Sequence, residues 1–194
     1  YPFQMLALDV TDDSSVQAAV KELMQREGQI NLLVNNAGVG IAPAAAEEST
    51  LSQVQTIFDT NVFGTVRVTH AVLPIMRAQR SGRILNVGSG LGLIPAPFNA
   101  HYCAAKHAIE GYSESLDHEV RGFGIRVSVI EPGATSTSFE GSAIPSDKPL
   151  EAYDTLRANY LVAFNQTMAQ ADTAESVART IVAAATDKQS QLRY

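Results

Sequence analysis

Short apolar runs alternate with longer stretches of helical spacing along the whole chain. "FQMLALDV" at 3–10 predicts a short strand ending at Asp9. "TDDSSVQAAVKELMQREG" follows, with a capping Asp or Ser near 12–14. Its apolar stripe is Val16, Val20, Leu23 and Met24, and Gly28 is its natural stop. "INLLVNNAG" reads as a buried parallel strand closed by Asn and Gly. Residues 50–80 form a long helical pattern through Val54, Ile57, Phe58, Val62, Val66, Thr69 and Leu73, with a kink expected at Pro74. "GRILNVGS" is another buried strand, residues 99–121 a second long helix ended by Gly122 and Gly124, and "IRVSVIEPG" a strand stopped by Pro132.

Strand and helix in alternation call for one α/β domain over 1–194, a doubly wound parallel sheet with helices on both faces. After Gly133 the pattern breaks. Residues 134–148 are small, polar and Pro-containing, a loop by composition. Residues 149–168 carry Leu150, Tyr153, Leu161, Phe164 and Met168 at amphipathic helical spacing. "DTAESVARTIVAAATDK" predicts the last helix, with Asp172 and Glu175 at capping-box spacing. "QLRY" looks like the start of one more strand, and there is no internal repeat.

Bulk numbers narrow the partners. A net charge of −6 and a pI near 5.1 weigh against nucleic acid or an anionic membrane. Four His and one Cys show no metal-ligand spacing, so no metal is expected. The lone Cys103 fits a reducing, cytoplasmic compartment, and no apolar run reaches the ~18 residues of a membrane span. There is no signal-peptide pattern. The chain opens at Tyr1 inside an apolar segment, which leads us to expect an internal piece of a longer protein.

The chemistry concentrates in "GSGLGLIPAPFNAHYCAAK" at 88–106. Tyr102 and Lys106 are four apart and share a helix face. A free phenol is a poor acid or base at neutral pH, and a nearby ammonium draws its pKa down. Ser89 lies just past a strand end, where α/β sheets place their ligands, and its hydroxyl can meet a substrate oxygen. A Tyr–Lys pair alone is common surface decoration, and a lone serine is more often a loop or cap residue.

The ordered set is more specific. "NNAG" at 35–38, Asn61 in the long helix, Ser89, Tyr102 with Lys106, and "PGATST" at 132–137 follow one another at successive strand ends and helix starts. This arrangement resembles the short-chain dehydrogenase/reductase family in its single-domain, Rossmann-like form, over nearly the whole chain. The resemblance implies an NAD(P)-dependent oxidoreductase interconverting an alcohol and a ketone or aldehyde. It makes Tyr102 the general acid/base and also a cofactor contact, and gives Lys106 the role of lowering its pKa and holding the nicotinamide ribose. Ser89 would orient the substrate oxygen, and Asn61 would hold a water linking the lysine to solvent. Asp9 and Val10 would lie at the adenine, Asn35, Ala37 and Gly38 along the cofactor, and Pro132, Gly133 and Thr137 at the nicotinamide amide. Residues 134–170 would be the substrate lid. The stretch 101–133 looks most like the branch acting on steroids, retinoids and other lipophilic alcohols. A homodimer or homotetramer through helices 50–80 and 99–121 is implied as well.

Each residue also has a plainer role. Asn35 and Asn36 can satisfy strand-end backbone groups, Asp9 can cap a turn, and Pro132-Gly133 can simply stop a strand. Phe139 and the stripe at 150–168 read as packing, and His101 and His107 as incidental. Asn61 is costly in mid-helix, so a specific role or a kink is expected. Gly88 replaces a second serine at a position expected to be tolerant, and Thr135 replaces a branched aliphatic, which weakens the nicotinamide assignment.

The family's glycine turn TGxxxGxG and its first two strands have no counterpart here, and only the start of the last strand is present. With them goes the evidence separating NAD from NADP. The missing strands belong between strand 3–10 and strand 30–36, so two edges would be left. Either the parts lie outside the given sequence, or the chain is a true fragment, or strand 3–10 re-pairs with strand 30–36 or between chains. The rival readings are an inactive fragment or a non-catalytic nucleotide-sensing or interaction protein on this fold. An epimerase or dehydratase of the larger branch is a third, but the C-terminal ~60 residues are few for its substrate domain.

Overall fold

A computed structural model describes residues 3–194; Tyr1, on which the expectation of an internal start rests, lies outside the described residues. The first helix, α1 (Asp13–Glu27), starts where the Asp12 carboxylate accepts from Ser14 N. It ends at Gly28, whose φ of 72° suits only glycine without strain. Strands β1 (Leu32–Asn35), β2 (Gly82–Val87) and β3 (Ile125–Ile130) pair in that order, all parallel, with Leu33 beside Ile84 and Ile84 beside Val127. Parallel order requires crossovers. They are α2 (Leu51–Phe58) running through a π-helical turn at 59–64 into α3 (Thr65–Gln79), and α4 (Ala100–Val120).

Successive residues of β2 point to opposite faces, so the sheet has two cores. Ile84 joins Val127, Val16, Val68, Val72, Met76 and Leu116 on the face of α1, α3 and α4. Leu85 joins Ile130 and Ala184 under α6 (Ala174–Thr186) on the other. The helices of both faces, expected from the alternating pattern, are thus in place.

The segment 3–10 departs from expectation. Residues 3–9 belong to no strand, and Phe3 and Met5 are 97% and 92% exposed. β1 pairs with β2 alone among the described strands, so the re-pairing of 3–10 with 30–36 is not adopted in this chain. An open apolar groove of about 300 Å³, lined by Leu6, Leu8, Val20, Leu33 and Val68, separates the two. Apolar residues at strand spacing do not make a strand without a neighbour to accept their backbone hydrogen bonds.

Three smaller corrections follow. Helix α3 continues through Pro74, and the break from α geometry comes instead in the π turn around Asn61. The stretch 134–148 is not all loop, because β4 (Thr135–Ser136) pairs in parallel with β5 (Asp172–Thr173). Asp172 is therefore committed to that pairing, and Thr173 caps α6 by accepting from Ser176 N. The lid region adds α5 (Asp154–Met168), with Tyr153, Tyr160, Leu161, Phe164 and Met168 half-buried along one stripe. The closing residues begin a strand beside β3: Val129 N donates to Leu192 O and Tyr194 N to Val129 O. No described helix is long and apolar enough to cross a membrane.

Candidate active site

The C-terminal ends of the three parallel strands place the candidate residues together. β2 delivers Ser89 two residues beyond Val87, where the Ser89 hydroxyl accepts from Leu91 N and starts a 3-10 turn. Gly90 N donates to Pro132 O at 2.9 Å, which ties the serine loop to the segment after β3. α4 supplies Tyr102 in its first turn and Lys106 in its second, both facing this loop.

Lys106 is buried, and its Nζ donates to Val87 O at 2.8 Å while lying 5.6 Å from the Tyr102 ring centroid. Burial pushes its pKa down to about 8, with Glu110 pulling the other way. Burial also holds the Tyr102 phenol above its ordinary range, and the neighbouring Ser89 hydroxyl opposes that rise. The Lys106 ammonium lies over the Tyr102 ring and gives one hydrogen bond to Val87 O.

Asn61 sits in the π turn, buried, with its amide committed on both sides. Oδ1 accepts from Val39 N and Nδ2 donates to Val39 O, each at 2.8 Å. Its side chain therefore ties the helix to the loop after β1. Gly38 lies close beneath it; a Cβ there would meet Asn61 Oδ1 at 3.4 Å.

The other predicted cofactor residues divide. Asn35 spends its amide on two side chains, Thr69 Oγ1 and Asn86 Oδ1, instead of the backbone groups its plainer role called for. Asp9 accepts from the backbone and side chain of Thr11, so it caps a turn. Val10 packs on Gly64 and, with Asn35 and Ala37, lines the apolar groove away from Tyr102. Pro132 and Gly133 stand beside the serine loop, and Gly133 has open space around it. Thr137 accepts from Phe139 N. The expected tolerance at Gly88 also fails: a Cβ there would come within 2.7 Å of Val129 Cγ1 and 2.9 Å of Glu110 Oε1.

Two features of the site were not assigned from sequence. Phe139 packs as expected, but against the candidate acid/base, its ring 5.9 Å from that of Tyr102. Phe98, four residues before Tyr102, meets Tyr160 of α5 at 5.5 Å and Tyr153 at 6.5 Å, and Asn99 Nδ2 donates to the Tyr160 hydroxyl at 2.7 Å. An aromatic cluster therefore stands beside the first turn of α4. The aromatic residues were visible in the sequence, but nothing local linked 98 to 160.

Behind Lys106, Arg193 Nε bridges Glu110 Oε2 at 3.2 Å and Glu131 Oε1 at 3.1 Å, and its Nη2 reaches Glu114. Burial, then the Glu131 charge, pushes Glu110 up to about 7, against Arg193. A carboxyl whose folded pKa is raised stabilises fully below its unfolded pKa and loses that contribution as pH rises through 7. The melting temperature is therefore expected to fall between pH 5 and pH 8, a window above the range of the lowered carboxylates Glu48 and Asp117. Glu110→Gln should flatten that decline in a pH series of thermal melts; an unchanged slope would remove Glu110 as its source.

Residues 2–148 match the short chain dehydrogenase family. The chain belongs to that family. As a short chain dehydrogenase it is an NAD(P)-dependent oxidoreductase. It is 37% identical over 190 residues to an uncharacterized oxidoreductase of Schizosaccharomyces pombe, covering 96% of this chain and 78% of that protein. It is 39% identical over 197 residues to 17-beta-hydroxysteroid dehydrogenase type 1 of Mus musculus, covering 98% of this chain and 56% of that enzyme. Among solved structures it superposes on a short-chain dehydrogenase from Streptomyces avermitilis with a TM-score of 0.85, at 34% identity over 97% of this chain and 68% of that one. It also superposes on a 3-ketoacyl-(acyl-carrier-protein) reductase from Brucella melitensis complexed with NADH, with a TM-score of 0.69, at 29% identity over 72% and 59% of the two chains. Among its described residues this short chain dehydrogenase has three parallel strands with two crossovers and the beginning of a further strand beside β3.

Proposed function

We propose that the chain interconverts a lipophilic alcohol and its ketone, with Tyr102 as the acid/base. The convergence of Ser89, Tyr102 and Lys106 at one end of the parallel sheet carries this reading. Tyr102 gives its phenolic proton to the carbonyl oxygen in reduction and takes the hydroxyl proton in oxidation. Ser89 shares the substrate oxygen and holds it in line. Lys106 uses one of its three N–H donors on Val87 O, and the other two suit the hydroxyls of a ribose.

The residues fit the nicotinamide half of NAD or NADP: Lys106, the close backbone approach at Gly38, and Pro132, Gly133 and Thr137 would hold it. When bound, that group supplies hydride transfer. Asn35, Ala37, Asp9 and Val10 lie farther along the strand ends and would serve the remainder, if only through packing. Phe139 and the wall of Phe98, Tyr153 and Tyr160 favour an apolar, ring-containing substrate, in keeping with the hydroxysteroid named for the mouse relative. Residues 134–170 act as its lid. Exposed Leu51 and Phe63 offer apolar contact for a second subunit along the 50–80 helix, and the buried Cys103 suits a reducing cytoplasm.

The test is a titration of the full-length protein with NADH and NADPH by nicotinamide fluorescence, followed by turnover of decalone, a two-ring ketone. Saturable binding with consumption of reduced nicotinamide is expected. Tight binding without turnover on any ketone of a ring-size panel would favour the nucleotide-sensing alternative.

A further inference from the structure

Glu48 is fully buried, yet it lies in a short 3-10 turn remote from Tyr102 in sequence, and the mechanism above does not use it. Its carboxylate is saturated with donors. Oε1 accepts from Leu150 N and Arg157 Nη2, each at 2.8 Å, and Oε2 from Ala45 N at 2.7 Å. Its backbone carbonyl accepts from Lys148 N at 2.9 Å and from the Ser146 hydroxyl. Burial pushes the carboxyl up, but the N–H groups of Leu150 and Ala45 and the Arg157 guanidinium outweigh it and hold the group below the ordinary carboxylate range.

Weaker bonds line up beside this clamp. Thr50 N donates to Asp147 Oδ1 at 2.8 Å, Gln53 Nε2 to Pro145 O at 2.7 Å, and the Tyr153 hydroxyl to Glu47. Segment 145–157 is thus joined to segment 45–53. The latter is tied in turn to the entrance of the catalytic helix: Ala44 N donates to Phe98 O at 3.0 Å, and His101 Nε2 pairs with Ala46 O at 2.9 Å. Phe98 holds φ 58°, a left-handed conformation unfavourable for a bulky residue, and persists in it under the rings of Tyr153 and Tyr160.

We propose that Glu48 is a positioning residue for substrate selection: its buried clamp with Arg157 holds segment 145–160 and the Phe98 wall in the shape that admits a ring-containing ketone. The clamp does this without touching the reacting atoms. A buried ion pair costs much desolvation, and an apolar contact would hold two segments together as well. What the pair adds is one fixed register between them. Losing Glu48 leaves the Ala45 and Leu150 N–H groups without their acceptor and Arg157 with only Asp154 and Leu150 O, while losing Arg157 leaves the buried Glu48 charge with those two N–H donors alone, so the segment must open to reach water.

This inference rests on the catalytic reading for its kinetic arm and stands apart from it in the other. In the full-length enzyme, Glu48→Ala and Arg157→Met should speed amide hydrogen exchange in peptides covering 145–157 by about tenfold or more, with β2 and β3 peptides unchanged. Arg157→Lys, which keeps the charge, should stay near wild type. In the same variants KM for decalone should rise about tenfold with kcat held, while KM for acetone, which needs no wall, should not move. Exchange at 145–157 equal to wild type, or equal KM changes for both ketones, would overturn the proposal. An enzyme that turns over neither ketone fails the catalytic reading, and the exchange arm still decides the clamp. Should Glu48→Ala not fold, exposed Asp147→Ala must show the same pattern at smaller size, and no change there counts against the clamp.

Discussion

Replacing Tyr102 by Phe in the full-length enzyme should lower kcat by about 100- to 10,000-fold, the range of one positioned general acid. The substitution removes only the phenolic oxygen. The ring stays in its place between Phe139 and the face of the Lys106 ammonium, so packing and the Lys106–Val87 bond persist. Cofactor affinity and melting temperature should therefore stay close to wild type. Rapid-mixing turnover with decalone, together with nicotinamide fluorescence, separates the two effects. A variant with kcat within a few-fold of wild type would remove Tyr102 from proton transfer and point to another donor. A variant that also lost cofactor binding would mean that the hydroxyl serves the nucleotide.

Asn61→Ala should produce the largest loss of stability among the site residues. The amide satisfies both backbone groups of Val39 from a buried position in the π turn. Removing it leaves an N–H and a carbonyl unpaired at about 1–3 kcal/mol each, so a total of about 2–6 kcal/mol is expected. Asn61→Asp keeps an acceptor for Val39 N but sets a second acceptor against Val39 O, and should fall between. Urea unfolding of the three proteins measures this. Because Gly38 lies against the same amide, nicotinamide binding should weaken in step with stability. A loss for Asn61→Ala within about 0.5 kcal/mol of zero, typical of surface substitutions, would show that the loop after β1 is held by other contacts.

Asn61 also shows how far a sequence can be read. Its poor helix propensity in a long apolar pattern signalled a special role, and the π turn is that role. Which backbone it binds was hidden, because Val39 lies 22 residues away across the sheet. Ser89, Tyr102 and Lys106 were easier. Their relation depends on one helical turn and one strand end, both local properties. The Lys106 bond to Val87 O was hidden, because a shared helix face does not say where an ammonium sends its hydrogen bond. Gly88 was read as tolerant because its crowding comes from Val129 and Glu110, which adjoin it only in the fold.

The sequence by itself determined the order of strands and helices, the two-faced burial of "GRILNV" and "IRVSVI", the caps at Asp12 and Gly28, and the placing of Ser89, Tyr102 and Lys106 at one strand end and one helical turn. Each rests on interactions between residues near one another in the chain, where periodicity and propensity act. The tertiary structure alone decided the rest. It left 3–9 outside any strand, because a strand exists only with a neighbour. It laid Phe139 over Tyr102, gathered Glu110, Glu131 and Arg193, and joined Glu48 to Arg157 across 109 residues. Those pairings depend on how packed layers bring distant side chains out of water together, and no local pattern encodes them.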